Sequence, residues 1–303
     1  MSKKSKSVIL MFMTAMIWGF AFVAQLLGAE HVGAFTFNGT RFLLGGLSLI
    51  PVILIFERTN VIRLKMKKTI YVGILAGTIL FTASCLQQFG IELTTSAGKS
   101  GFITGLYTVL VPIIGIFMGK KTNINTWLGA ILAIIGLYLL SFANGISEVG
   151  MGDLVLLIGA VMWAFHIIVI DRFGNEIYSL RFAMTQFVVC GLLCVACALI
   201  FEDVSFVSIY KARFPILYAG LMSVGVAYTC QIIGQKNADP AFSAIILSTE
   251  SVFSAIGEAV LFGLIMTSYP YTPISLKGYI GCAIMFGGIV VSQLDFKKLI
   301  NKS

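Results

Sequence analysis

The sequence predicts an all-α membrane protein of ten transmembrane helices arranged as two inverted five-helix repeats. Three observations carry that expectation. The chain is 58% hydrophobic and 11% charged, with a mean hydropathy of +0.97, where a soluble domain carries about 25% charged residues. Its apolar stretches recur at close to the ~20 residues that cross a bilayer. Finally, one stretch occurs twice: Val8–Glu57 and Asp153–Glu202 align without a gap at an offset of 145, with 12 of 50 positions identical.

Taken in order, apolar spans fall near 8–28, 35–56, 70–89, 99–119, 126–142, 153–170, 182–201, 214–235, 242–265 and 278–293, joined by short loops. Lys3, Lys4 and Lys6 precede the first span in the manner of a secretory signal. Its apolar run is longer than the usual about 7–15 residues and nine more spans follow, so it counts as the first helix. With the N-terminus inside, the inner segments hold 16 of the 21 Lys and Arg: Lys3, Lys4, Lys6, Arg58, Arg63, Lys65, Lys67, Lys68, Lys120, Lys121, Arg172, Arg181, Lys236, Lys297, Lys298 and Lys302. Positive charge gathers on the cytoplasmic side, which predicts both termini in the cytoplasm of a cell-membrane protein. The net charge of +8 then belongs to contact with anionic lipid. No long basic segment interleaved with aromatics points to nucleic acid.

The duplicated stretch is anchored by its unusual residues: Trp18/Trp163, Thr40/Thr185, Gly46/Gly191 and the closing run Leu54–Glu57 with Leu199–Glu202. A unit of five helices ends on the opposite side from its start, so a second copy enters upside down. The chain therefore divides at 1–145 and 146–303, with Glu57 at the inner end of the second helix and Glu202 at the outer end of the seventh. Inverted repeats around a shared midplane site are how many secondary transporters are built. Gly129 and Gly136 in the fifth helix pair with Gly281 and Gly288 in the tenth at an offset of 152. The fourth and ninth helices align poorly in detail.

The paired MIWGFAF (16–22) and VMWAFHI (161–167), Thr40-Arg41-Phe42, TTSAGKSGFITGLYTVLVP (94–112), WLGAILAIIGLYLLS (127–141) and TESVFSAIGE (249–258) resemble EamA-type members of the drug/metabolite transporter superfamily. The resemblance covers nearly the whole chain and rests on the order and spacing of these segments. It implies ten helices in two inverted halves and movement of small metabolites such as amino acids. Two departures stand out. Where the family often closes each half with Leu-Gly-Glu, this chain has Gly119-Lys120-Lys121 and Gly263-Leu264. Where a proline often follows the ninth-helix Glu, it has Ser251.

Ionisable groups inside spans are functional candidates by default, because each costs about 2.5–3.5 kcal/mol at the bilayer centre on insertion scales. Glu250 and Glu258 share one broad face of the ninth helix with Ser254 and Gly257; Glu258 is the deeper and the first candidate for proton coupling, Glu250 the one nearer the interface. Either could instead clamp helices. Arg41 either snorkels outward or offers its guanidinium to a substrate carboxylate. His166 either bridges helices or serves substrate or proton. Trp18 and Trp163, at symmetric depth, either flank a central cavity or pack between helices. Gln87, Gln88, Thr104, Tyr107, Tyr228 and Gln231 are further lining candidates. In the fourth helix Ala97, Gly101 and Gly105 make a smooth small-residue face, and Pro112 predicts a bend past its middle. Lys99, beside Glu92, is either half of an interfacial ion pair or an attractive mouth for anions.

All six cysteines lie inside spans, and Cys190, Cys194 and Cys197 share a helix face. With no histidine or acid beside them in sequence, they are read as small apolar residues rather than metal ligands. No nucleophile–base pair, His-Glu-x-x-His or phosphate loop is present, so neither an enzyme nor a cofactor is expected. The reading is a secondary transporter of a small metabolite working by alternating access, and an exporter. A channel or a non-transporting scaffold is the alternative, and a homodimer is left open.

Overall fold

The computed structural model describes residues 3–57, 62–94, 97–119, 122–141, 150–236, 238–261 and 275–293. Gly263 and Leu264, and the expected inner cations Arg58, Lys120, Lys121, Lys297, Lys298 and Lys302, lie outside the described residues. Within them the chain is helical, with no strand. The helices are α1 (Lys3–Ala29), α2 (Ala34–Phe56), α3 (Arg63–Thr94), α4 (Ala97–Phe117), α5 (Ile124–Ser141), α6 (Met151–Phe173), α7 (Ser179–Phe201), α8 (Arg213–Gln235), α9 (Pro240–Val260) and α10 (Leu276–Gln293). Eight of these described helices are long and apolar enough to cross a bilayer; α5 and α10 are the shorter two.

Capping contacts at the helix ends fix the threading. On one face the Glu57 carboxylate at the end of α2 accepts from the N–H groups of Leu180 (3.1 Å) and Arg181 (3.3 Å) at the start of α7. Lys68 pairs with Glu176 on that face, and Asn175 reaches the Lys236 carbonyl at 3.5 Å. On the other face Glu202, ending α7, accepts from the N–H groups of Phe35 (2.7 Å) and Thr36 (2.8 Å) and from the Thr36 hydroxyl (2.6 Å). Lys99 forms an ion pair with Asp153 there at 2.8 Å, and Glu258 accepts from the Gly98 N–H at 3.1 Å. Glu57, Glu202 and Glu258 each meet unsatisfied amides at a helix N-terminus, where the helix dipole also favours negative charge. These contacts put the ends of consecutive helices on alternate faces.

Packing pairs the helices across the chain: α2 on α7, α3 on α6, α1 on α8 and α9, α4 on α6, and α5 on α10. The last pair is the tightest. A Cβ on Gly129 would lie 2.6 Å from the Gly288 carbonyl, and Gly136 meets Gly281 in the same way. Only small residues allow backbones so close in lipid, where dispersion contacts rather than the hydrophobic effect hold helices together. The repeated run Leu54–Phe56 and Leu199–Phe201 points outward, 59–75% exposed, as suits residues facing acyl chains. By contrast α9 is 83% buried, against 33% for α7. α9 therefore runs through the interior of the bundle.

Three elements differ from the sequence expectation. α3 runs 32 residues, because its first turns carry Arg63, Lys65, Lys67 and Lys68, which a hydropathy window excludes but which are good helix formers. A six-residue helix, Phe206–Lys211, occupies a stretch expected to be loop. In α4 an interruption that no local signal announced falls at Leu106, between Gly105 and Tyr107, and the helix stays unbroken through Pro112.

Candidate functional site

Two helices are interrupted, and they are interrupted against each other. α4 breaks at Leu106 (ψ −13°) and α9 at Ser248 and Thr249 (ψ −14° and −8°). At both breaks the bonding tightens to an i→i+3 pattern, as in Val109 N–H to Leu106 C=O (3.1 Å) and Val252 N–H to Thr249 C=O (3.0 Å). The cause is local. Ser248 and Thr249 turn their hydroxyls back onto the carbonyls of Ile245 (2.9 Å) and Ile246 (2.7 Å), competing with the helical ladder. Each helix also intrudes on the other: the Ser251 hydroxyl donates to the Gly101 carbonyl at 2.7 Å, and Thr108 donates to the Ala244 carbonyl at 3.3 Å. Side chains entering the i→i−4 ladder in this way kink helices. The first residue after each break is Tyr107 and Glu250, and the Tyr107 hydroxyl donates to Glu250 Oε1 at 3.1 Å.

That hydrogen bond lies on the wall of a cavity lined by Trp18, Ala21, Phe22, Gln25, Arg41, Gln87, Thr104, Tyr107, Trp163, Ile167, Ser223, Tyr228, Gln231 and Glu250. Trp18, Ala21, Phe22 and Gln25 follow i, i+3, i+4, i+7, one stripe of α1. Tyr228 is the hub of the aromatic wall, with ring centroids 4.6 Å from Trp18 and 6.1 Å from Trp163, which are themselves 6.2 Å apart. Tyr218–Tyr228 of α8 winds as a π-helix, a form that recurs at functional sites. Its carbonyls lean out to partners on α1: Trp18 Nε1 donates to Ser223 C=O at 3.3 Å, and Thr14 to Ala227 C=O at 2.9 Å. The enclosed space is about 20 Å³, room for about one water and for no metabolite.

The lining holds polar atoms without partners. Arg41 Nη2, Trp163 Nε1, both ends of the Gln231 carboxamide and Gln25 Oε1 are buried and make no hydrogen bond. Such atoms cost about 1–3 kcal/mol each when left unmade, and five of them face this one small space. Arg41 is 2% exposed and faces this space. Its Nε donates to Asn38 Oδ1 at 2.9 Å, and its guanidinium lies 5.4 Å and 5.0 Å from the rings of Phe37 and Phe42.

Nine of the residues singled out from the sequence thus share one lining: Trp18, Arg41, Gln87, Thr104, Tyr107, Trp163, Tyr228, Gln231 and Glu250. Three lie elsewhere. Gln88 Nε2 donates to the Gln25 carbonyl at 3.2 Å. His166 Nε2 bonds Gln186 Oε1 at 3.0 Å, tying α6 to α7. Glu258 caps α4 at Gly98. The expected depths of the two acids are reversed: Glu250 is 3% exposed at the break of α9 in the interior, and Glu258 lies level with the start of α4, where it caps Gly98. The reason is the start of α9, where Asp239 caps the amides of Ala241 (2.9 Å) and Phe242 (3.2 Å) and Pro240 takes the first position. Among the cysteines, Cys194 faces Cys85 across 3.7 Å, while Cys197 is only partly buried. Gln25, Phe22, Ala21, Ile167 and Ser223 were not anticipated; the spacing of Gln25 from Trp18, seven residues on one helical stripe, was the available signal for it.

The EamA-like transporter family model matches residues 5–142 and 150–293. Similar proteins include an uncharacterized transporter of Archaeoglobus fulgidus, 26% identical over 86% of this chain and 79% of its own. The uncharacterized transporter YoaV of Bacillus subtilis is 20% identical over 93% and 95%, and the uncharacterized inner membrane transporter YedA of Escherichia coli is 22% identical over 84% and 80%. One solved crystal structure aligns with a TM-score of 0.76 over 98% of this chain and 99% of its own, at 18% identity, and so shares the fold.

Proposed function

We propose that this chain, which belongs to the EamA-like transporter family, is a ten-span secondary transporter that exports a small metabolite by alternating access through the cavity between α4 and α9. Residues 1–145 and 146–303 form two inverted halves, with both termini cytoplasmic. Several contacts support the inversion. Glu57 and Glu202 correspond at the offset of 145, and so do the amides they cap, 35–36 and 180–181. Gly129 and Gly136 meet Gly288 and Gly281 crosswise. The family model matches one stretch in each half.

The observation that carries the transport reading is the set of unpartnered polar atoms facing a nearly closed space at the junction of two broken helices. Discontinuous helices flank the midplane site in many inverted-repeat carriers. A space of about 20 Å³ must open to admit a metabolite, whose pockets measure roughly 300–1,000 Å³. The breaks are where the helices can flex. Glu250, at the break and on the lining, is the coupling group in this reading, and Glu258 a cap. Purified protein in liposomes, given metabolites selected by thermal shift, is expected to show saturable flux and counterflow. Conductance far above carrier turnover would instead mean a channel, and no flux of any kind a scaffold.

A further inference from the structure

Arg41 is a buried cation with no anion beside it among the described residues, and its Nη2 has no hydrogen-bond partner. A buried charge is tolerated when paired, and costly otherwise. Two further unpartnered donors share its cavity, Trp163 Nε1 and Gln231 Nε2. Three N–H donors, one of them charged, suit the oxygens of a carboxylate or similar acid head. Around them Trp18, Trp163 and Tyr228 offer ring faces to an apolar body.

Glu250 opens on the same space. The groups facing it there are Tyr107 from α4, which donates to it, Tyr228 from α8 and Arg41 from α2. α1 and α6 contribute Trp18, Ala21, Phe22, Gln25, Trp163 and Ile167, none of them titratable, while α5 and α10 contribute nothing to the lining. On its own helix Glu258 is engaged with Gly98. With an anion seated on Arg41, a charged Glu250 places a second negative charge in the same small volume; a protonated Glu250 does not. Anion and proton therefore raise each other's occupancy, and the effect is reciprocal.

We propose that the protein carries an organic anion and a proton together, in the same direction, with Arg41 holding the acid head and Glu250 the proton. The inference rests on the carrier reading above. The two ligands sum to a neutral load, so no net charge crosses the membrane with them. A cation competing with the proton for Glu250 would produce exchange instead. The face holding Glu57 carries Lys65, Lys68, Arg172, Arg181 and Lys236, of which Lys68 and Arg181 are paired with Glu176 and Glu57. Net direction follows the summed gradients of anion and proton, so the pair leaves the cell where the outward anion gradient exceeds the inward proton gradient.

Purified full-length protein is challenged by thermal shift with three pools of small metabolites, carboxylates, amines and zwitterionic amino acids, in mildly acidic and mildly alkaline buffer. The stabilising compounds are expected from the carboxylate pool, binding about tenfold tighter in acid, the effect of removing one unit charge from a partly desolvated site. Arg41→Gln should lose that binding, and Arg41→Lys recover part of it. Glutamine already stands at the corresponding position, Gln186, so Arg41→Gln is expected to fold. Glu250→Gln should bind the anion equally well in both buffers. In liposomes with a lumenal pH dye and no membrane potential, the selected carboxylate should bring protons in with it. Stabilisation by amines alone, by zwitterions alone or by no pool overturns the proposal, as do protons moving against the anion. If saturable flux persists in those cases, the carrier reading stands and only the anion–proton pairing falls; conductance without saturation removes both.

Discussion

The α2–α7 pair and the α4–α9 pair both join one half of the chain to the other, and they are built in opposite ways. In α2–α7 both helices run unbroken, and each ends in a glutamate that caps the start of its partner. The bonds are backbone to carboxylate, at the two faces. In α4–α9 both helices are interrupted at mid-depth, hydroxyls from each invade the ladder of the other, and the two ends meet through one side-chain bond, Tyr107 to Glu250. The contrast teaches a division of labour. One pair is capped at both ends and holds the halves together. The other has surrendered regular backbone bonding where the polar lining lies, and that is the pair able to change shape.

Mutations can break that comparison, beginning with the strongest. Glu250→Gln should reduce proton-linked flux about a hundredfold or more at matched protein density, the scale of losing an essential proton-transfer group. Its melting temperature should change little, because the amide can still accept from Tyr107. Retained, pH-dependent flux would move the coupling group elsewhere. Trp18→Ala and Trp163→Ala should each cut flux about tenfold by removing a wall of the cavity, a loss that kcat/KM reports as weakened binding in both ground and transition states. Trp18→Ala should also destabilise the fold, since Trp18 Nε1 is bonded to Ser223 and Trp163 Nε1 is free. Unaltered kinetics in both would take the tryptophans out of the lining.

Glu202→Ala should act the other way round, costing about 1–3 kcal/mol of stability by orphaning amides while the folded fraction transports normally. Glu57→Ala should cost less, its bonds being 3.1 and 3.3 Å against 2.7 and 2.8 Å. Thermal melts alongside flux per folded molecule separate the two effects. The smallest change is expected from Glu258→Gln, which keeps an acceptor for the Gly98 amide; flux and its pH dependence should stay within about twofold. A steep loss of pH dependence there would reassign coupling to Glu258.

The difference between the pairs also explains what the sequence could and could not disclose. α2 and α7 are legible because hydropathy fixes their length and the shared Phe-Glu ending fixes their register. Trp18 and Trp163 are legible because equal depth in a repeated stretch places them together. The breaks in α4 and α9 are not, since much of their cause is tertiary: Ser251 reaches Gly101, and Thr108 reaches Ala244, only once the two helices have met. Pro112 is the more conspicuous local signal, yet it marks no break. The depth of Glu250 was encoded in Asp239-Pro240, a helix-start signature that an apolar count overlooks. The orphaned state of Arg41 and Gln231 depends on what fails to approach them, which no linear pattern records.

Cross-linking tests the division of labour most directly. A Cβ on Gly39 would lie 3.5 Å from Cys194 Cβ, and one on Gly101 lies 3.5 Å from Ser254 Cβ, both within the ~3.5–4.5 Å that a disulfide needs. Gly39→Cys bridges α2 to α7 through the native Cys194; Gly101→Cys with Ser254→Cys bridges α4 to α9. Transport in liposomes should survive oxidation of the first bridge, and should stop on oxidation of the second and return on reduction. Full activity with α4 and α9 locked, or arrest by the α2–α7 bridge alone, would contradict the account.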